Sequence, residues 1–292
     1  MIGTETSRGA RGARGANPKS SNQVRRLWEA SDAFLRLGWR QAISYPLGFF
    51  MSQVSNFLPI LIFYFVSGLV TRPGAAFGGD YFSSVVIGLL GVKLLDSGLR
   101  GFGAQMDVAI NRGWLEMFLV EPVRWRFLPI AMSQWPNFLG VFAVATMLAL
   151  ALALGATFDP SGIPIALAIG ALGMFAGLAI GTMSASIKVL AKSGDPVLLL
   201  YTLMAQLFSG VYFPVERLPA GLKWLSYFFP HTYVIQGLRK ALLPDGETLP
   251  GPSAFSTVMT LLIFSVLAYP LAIWIWGRAL EYGRKLGVLS GY

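Results

Sequence analysis

The sequence predicts an all-α membrane protein with six transmembrane helices, an amphipathic helix before the first span and a re-entrant helix pair before the last. Hydrophobic residues make up 54% of the 292-residue chain and charged residues only 13%, and the mean hydropathy is +0.59. Soluble domains rarely show this balance. Each apolar run is long enough to cross a hydrocarbon core of ~30 Å. The expected spans cover about residues 45–70, 81–99, 127–155, 164–190, 196–214 and 255–277, within one six-span domain over 41–277.

Composition also excludes several function classes. The chain has no cysteine, so disulfides, thiolate catalysis and cysteine metal sites are excluded, and its single histidine makes a histidine metal centre implausible. No Gly-x-x-x-x-Gly-Lys-[Ser/Thr] loop occurs, and no serine–histidine–acid set or carboxylate pair is visible. We therefore expect no metal, no cofactor bound by this chain and no enzymatic activity of its own.

The N-terminal region divides into two parts. Arginine–glycine–alanine triplets in residues 1–23 predict a disordered basic tail. In residues 24–40, apolar and charged side chains alternate at helical spacing, which is typical of an amphipathic helix lying in the membrane interface. A soluble helix that packs on a partner protein would show the same pattern.

The first span contains polar residues that normally face protein or a pathway inside a membrane. Gln53 and Asn56 are among them, and they would equally serve as hydrogen-bond partners for a neighbouring helix. Aromatic rings on the first and fifth spans would line a path for amphipathic molecules, stack on sugars or pack against lipid. The candidates for lining a pathway are Gln53, Asn56, Phe57, Tyr201 and Phe208.

Three charged residues follow the second apolar run. Lys93, Asp96 and Arg100 are three and four positions apart, so they share one helix face. The pattern predicts the cytoplasmic end of the second span. A buried proton relay is disfavoured, because no further carboxylate or histidine continues the chain of titratable groups.

Two patterns concern the fourth and fifth spans. Gly177 and Gly181 form a Gly-x-x-x-Gly pair, which permits close helix packing, either within the chain or across a dimer. Asp195 is expected to be the N-cap of the fifth span and Pro196 its first helical residue.

The charge distribution predicts the orientation. Eighteen lysines and arginines fall on one side of the six expected spans, and five fall on the other. The positive-inside rule then places both termini, including the tail 278–292, on the cytoplasmic side of a bacterial-type plasma (inner) membrane. This distribution accounts for the net charge of +9 without a nucleic-acid partner.

Residues 209–243 are interrupted by prolines at 214, 219 and 230. Two helical patterns lie within 218–243, the second expected to be capped by Thr232, and neither is long enough to cross the membrane. The stretch therefore predicts a helix–turn–helix that enters one membrane face and returns, held where protein satisfies its broken backbone.

This stretch resembles a known family. Ser209-Gly210-Val211-Tyr212-Phe213-Pro214, Leu218-Pro219, Phe229-Pro230-His231-Thr232-Tyr233 and Gly237-Leu238-Arg239 are similar to the signature of type-2 ABC transporter permeases, the membrane subunits of drug, lipid and polysaccharide exporters. The resemblance implies that 24–40 is a cytoplasmic elbow helix and that the re-entrant stretch forms an external gate. The gate residues are Gly210, Val211, Tyr212, Phe213, Pro214, Pro219, Pro230 and Arg239.

Within that gate, Val211, Tyr212 and Phe213 are expected to meet their counterparts across a dimer. Arg239 is expected to neutralise helix carbonyl ends, to pair with Glu216, or to extend its charge to the surface.

A second segment also resembles this family. Residues 106–125 contain a Gly-x-x-Glu and a following proline, as in the coupling helix that docks on the ATP-binding subunit. A surface helix without a partner would fit the bare pattern too. The docking residues implied by the resemblance are Arg112, Gly113, Leu115, Glu116, Phe118, Leu119, Glu121 and Pro122.

The resemblance implies a permease subunit of an ATP-driven exporter of an amphipathic, lipid-like or drug-like substrate. ATP and Mg²⁺ would be used by a separate ABC ATP-binding subunit. The other partners would be membrane lipid and a second permease copy, in a homodimer more readily than in a heterodimer. The alternatives are a polysaccharide or glycolipid exporter and, in a different class, an ion-coupled carrier or channel, for which the sequence lacks a convincing set of intramembrane charges.

Overall fold

The computed structural model describes residues 18–69, 81–112, 125–191, 195–212, 215–219, 221–244, 246 and 249–285. All regular secondary structure in these ranges is helical. The helices are α1 (Pro18–Ser44), α2 (Pro46–Leu69), α3 (Tyr81–Asn111), α4 (Leu128–Ala153), α5 (Ile163–Ala191), α6 (Pro196–Phe208), α7 (Lys223–Ser226), α8 (Pro230–Leu242) and α9 (Ala254–Lys285). Short 3₁₀ turns cover Pro160–Gly162 and Val215–Arg217.

Five helices of the described ranges are long and apolar enough to cross a membrane: α2, α3, α4, α5 with its preceding 3₁₀ turn, and α9. The expected fifth span, 196–214, is different. Its helix, α6, has 13 residues and ends at Phe208, so it is about 20 Å long, too short for a ~30 Å core. The expectation of six spans is therefore not confirmed.

Three helices extend beyond their expected bounds. α1 begins at Pro18, so residues 18–23, expected in a disordered tail, are helical. α3 runs to Asn111 and not to about residue 99, because its last turns pack in the core through Phe102 and Met106. α9 continues into the expected tail as far as Lys285 and is held there by the buried Trp276.

α3 is the central helix, and it packs against α4, α5 and α8. Its contact with α5 depends on glycine. A Cβ atom on Gly177 would collide with the carbonyl oxygen of Leu95, and one on Gly181 with that of Leu99. The Gly-x-x-x-Gly pair therefore packs within the chain, which confirms the intramolecular alternative.

Aromatic side chains join α3 to α9 in the core. The ring of Phe102 lies edge-on to that of Trp276, with centroids 5.1 Å apart. The indole nitrogen of Trp276 donates to the backbone oxygen of Trp125 at 3.2 Å. A second aromatic contact joins α1 to α4 through Trp39 and Trp135, whose ring centroids are 6.5 Å apart.

The α6–α8 region is organised by its caps and by one apolar cluster. Asp195 accepts a hydrogen bond from the Leu198 amide at 2.8 Å, and Pro196 follows it, which confirms the expected N-cap. Phe208 of α6 packs with Phe229 just before α8. The first expected helix of 218–243 is reduced to one turn, α7.

The expected cap of the second helix is wrong. α8 starts at Pro230, because proline is favoured at the first helical position. Thr232 instead donates to the backbone oxygen of Ser226 at 2.5 Å.

Candidate functional site

Arg239 joins three parts of the chain. Its side chain is buried, with a relative exposure of 6%. The guanidinium donates to the backbone oxygens of Ser84 at 3.1 Å, Gly210 at 2.8 Å and Val211 at 3.0 Å. Arg239 thus binds carbonyls just beyond the end of α6 and in the first turn of α3. This is the first of its three expected roles, the neutralisation of helix carbonyl ends. A charge extended to the surface is ruled out by its burial, and Glu216 adds a longer-range attraction.

Glycine residues allow the backbone after α6 to lie close against α3. Gly210 has φ of 82°, a conformation that favours glycine. On α3, a Cβ atom at Gly88 would lie 3.0 Å from an Arg239 nitrogen and 3.1 Å from the Val211 oxygen. The segment after α6 is therefore pressed directly onto α3.

The expected gate side chains have different environments. Val211 is 1% exposed and buried inside its own chain. In this conformation it therefore does not offer its side chain to a counterpart across a dimer, contrary to expectation. Tyr212 is 41% exposed and stacks on Phe63 of α2, with ring centroids 5.6 Å apart. Pro219 is exposed and Pro230 buried, while Phe213 and Pro214 lie outside the described residues.

The charges on α3 lie in the middle of the helix, not at its end. α3 continues to Asn111, and Lys93 is about 18 Å along it from Tyr81; where the span leaves the membrane along this helix stays a prediction. His231 at the start of α8 faces this cluster: its Nε2 is 3.9 Å from Oδ1 of Asp96. Neither atom has a hydrogen-bond partner among the described residues.

Two of the five expected pathway residues border this cluster. Asn56 of α2 accepts a hydrogen bond from Nζ of Lys93 at 2.8 Å, and the hydroxyl of Tyr201 of α6 is 3.4 Å from Nδ1 of His231. Gln53 is connected to the cluster through Asn56, whose amide nitrogen donates to the Gln53 side-chain oxygen at 3.4 Å. Phe208 belongs instead to the apolar cluster with Phe229, and Phe57 is half-buried on α2.

No pattern in the sequence indicates the Asp96–His231 contact. The sequence argued against a relay because no histidine follows Arg100 nearby in the chain. His231 reaches Asp96 only because α8 packs along α3, and no local pattern reports such packing.

The expected docking segment can be located only in part. Arg112 is exposed at the end of α3. Gly113, Leu115, Glu116, Phe118, Leu119, Glu121 and Pro122 lie outside the described residues. Among the residues that the structure describes, no three histidines, aspartates or glutamates are grouped so as to hold a metal ion.

Comparison with known proteins decides the family. A family model described as ABC-2 type transporter matches residues 32–243, more than two thirds of the chain. The chain belongs to this family. It is a multi-pass membrane protein and the permease component of an ABC transporter, a transport subunit in a family whose ATPase is normally a separate subunit. ABC-2 permease domains bind no cofactor themselves. The chain matches none of the curated proteins with which it was compared.

Proposed function

We propose that this ABC-2 type permease exports an amphipathic, lipid-like or drug-like substrate from the cytoplasm or inner leaflet, driven by a separate ATPase. The observation that supports this most directly is the seal at the end of α6. Arg239 holds Gly210 and Val211 against α3, and the charged cluster of α3 lies directly below. A closed seal above charged side chains is the arrangement that a resting exporter needs.

The finer membrane arrangement follows from this proposal. α6 together with 209–212 provides the fifth crossing, and 218–243 is the re-entrant stretch on the outer face. Two contacts of α8 support the re-entrant course. At its start, His231 lies beside the middle of α3. At its end, Leu242 accepts a hydrogen bond at 2.8 Å from the amide of Asp159 in the α4–α5 loop. α1, with exposed Arg25–Glu29 and Arg36–Asp32 pairs, is the elbow helix on the cytoplasmic surface.

Energy enters from the cytoplasmic side in this proposal. The segment that follows Arg112 docks on the ATP-binding subunit, which uses ATP and Mg²⁺. Two permease copies enclose the path, and a homodimer is the simplest assembly. Both termini lie in the cytoplasm of a bacterial-type inner membrane, as the lysine and arginine distribution indicates.

One observation favours a second candidate, an ion-coupled carrier. Asp96 and His231 face one another inside the bundle, and buried titratable pairs of this kind occur in proton-coupled transporters. Membership of the ABC-2 family favours ATP as the driving force. The dependence of transport on ATP or on a proton gradient separates the two candidates.

The proposed function is tested in vesicles that contain the full chain and the ATP-binding subunit that copurifies with it. Lipids, amphipathic drugs and glycans are compared as stimulants of ATP hydrolysis and as cargo. We expect ATP-dependent movement of a lipid or drug, lost when the P-loop lysine of the ATPase is replaced. Stimulation by glycans alone would replace our substrate class with a polysaccharide or glycolipid. Transport driven by a proton gradient without ATP would replace the mechanism.

A further inference from the structure

The proposed function leaves three charged side chains in the middle of α3 without a role. Lys93, Asp96 and Arg100 lie on one face of a helix long enough to cross the membrane. Measured along α3 from Tyr81, Lys93 and Asp96 lie about 18 and 22 Å in, within a ~30 Å core, and Arg100 lies about 28 Å in, at the inner boundary of such a core. Charged side chains at the depth of Lys93 and Asp96 are costly, and they generally face protein or water and mark the route of a substrate or ion.

The described contacts neutralise these charges only in part. Nζ of Lys93 donates to the neutral amide of Asn56. Nε of Arg100 lies 3.8 Å from a carboxylate oxygen of Asp96, too far for a hydrogen bond. The carboxylate that attracts Lys93 is also Asp96. Two cations therefore share one acid, and the cluster keeps a surplus positive charge.

Arg100 is the more accessible of the two cations. Its side chain is 52% exposed, and within the described part of the chain its guanidinium makes no hydrogen bond and one ion pair, with Asp96 at 3.8 Å. The guanidinium fork matches the oxygens of a phosphate or carboxylate in a bidentate arrangement. Its donors are thus available to an anion that approaches from outside the chain.

In a symmetric dimer, the second copy would contribute its own α3 cluster. It would bring the same two cations and one acid, so the excess positive charge along a shared path would double. Hydrocarbon does not solvate these groups. An anionic group on the molecule that passes along the path would neutralise them.

We infer that Lys93 and Arg100 bind the anionic headgroup, a phosphate or carboxylate, of the transported amphiphile. This inference rests on the proposed function and names its substrate class. Arg100 lies nearer the proposed cytoplasmic side, and Lys93 is seven residues further along α3, about 10 Å. Gly88, where Val211 and Arg239 contact α3, is about 7 Å beyond Lys93. The headgroup site thus lies directly below the seal.

The test measures binding by the full chain without its ATPase. The chain in detergent is exposed to equal amounts of phosphatidylglycerol and phosphatidylcholine, and the bound lipids are counted by native mass spectrometry. We expect preferential retention of the anionic lipid, reduced about tenfold in the double variant Lys93→Gln/Arg100→Gln, as for loss of a charge-assisted contact. Equal retention of the two lipids by the natural chain, or an unchanged preference in the double variant, would overturn the inference.

Two control variants separate charge from folding. Arg100→Lys keeps the charge and should keep most of the preference. Arg217→Gln removes the same charge from an exposed 3₁₀ turn and should leave the preference intact. If the double variant does not fold, Arg100→Gln alone should lower the preference severalfold, because that side chain makes no hydrogen bond in the described structure. An Arg217→Gln effect as large as that of Arg100→Gln would contradict a local site.

A competition arm identifies the source of the anion. If inorganic phosphate at millimolar concentration displaces phosphatidylglycerol, the site takes soluble anions as well as headgroups. If it does not, the site requires the lipid. Failure of one proposal can be told from failure of the other. A retained lipid preference without ATP-driven transport would refute only the exporter. ATP-driven transport without a lipid preference would refute only the headgroup site.

Discussion

Arg239 donates a hydrogen bond to the carbonyl oxygen of Gly210 at 2.8 Å, across 29 positions of the sequence. The same guanidinium binds the carbonyls of Val211 and Ser84. A buried arginine and buried carbonyls each carry a large desolvation cost, which their mutual hydrogen bonds offset. The backbone break after α6 is consequently held in place by α8 and α3.

Replacement of Arg239 by methionine should destabilise the permease. The change keeps an apolar stem of similar length but removes three donors, leaving buried carbonyls at a cost of about 1–3 kcal/mol each. We expect a clear fall in the apparent Tm of the detergent-purified protein. Lys240→Met is the matched control, since Lys240 donates one hydrogen bond, to Gly251 near the surface. Equal effects of the two variants would show that the Arg239 contacts are not a main source of stability.

Gly181→Ala should disrupt the contact between α3 and α5. The new methyl group would collide with the backbone of Leu99, and overpacking of this kind costs about 1–3 kcal/mol. Gly68→Ala, where no atom lies within 4 Å, should be neutral or slightly stabilising because alanine is the better helix former. Both variants are compared by apparent Tm. A Gly181→Ala protein as stable as the natural one would mean that the two helices are not in backbone contact.

Single cysteines can be placed in this cysteine-free chain to test the gate. Tyr212→Cys, at a partly exposed position, should crosslink two copies in the resting state. Val211→Cys, at a buried position, should neither crosslink nor react with external thiol reagents until a trapped ATP state opens the seal. If Tyr212→Cys never crosslinks and reacts freely throughout, this stretch is an exposed loop and not a gate.

Glu116→Lys should uncouple ATP hydrolysis from export. Charge reversal in a docking segment places like charges together at the interface, and we expect about a tenfold or greater loss of ATP-driven transport. Insertion into the membrane should be unaffected, because the residue lies outside every expected span. Glu281→Lys, an exposed position late in α9, serves as the control. Full recruitment of the ATPase and full export by the Glu116→Lys variant would exclude this segment as the docking site.

The amino-acid sequence by itself determined the class, the family resemblance and several helices. α2, α4 and α5 end within about two residues of the expected span limits, because apolar run length and the proline and glycine that bound it are local properties. The Asp195–Pro196 helix start is local in the same sense. The ordered prolines and aromatics of residues 209–239 led to the family that the comparison established.

Only the tertiary structure decided how the candidate site is assembled. The partners of Arg239, the approach of His231 to Asp96 and the burial of Val211 each join residues far apart in the chain. The extension of α3 past Arg100, which places its charges in the middle of the helix, depends on burial of Phe102 and Met106 in the core. Such contacts arise from the packing of whole helices against one another, and periodicity in a single helix does not encode which face meets which neighbour.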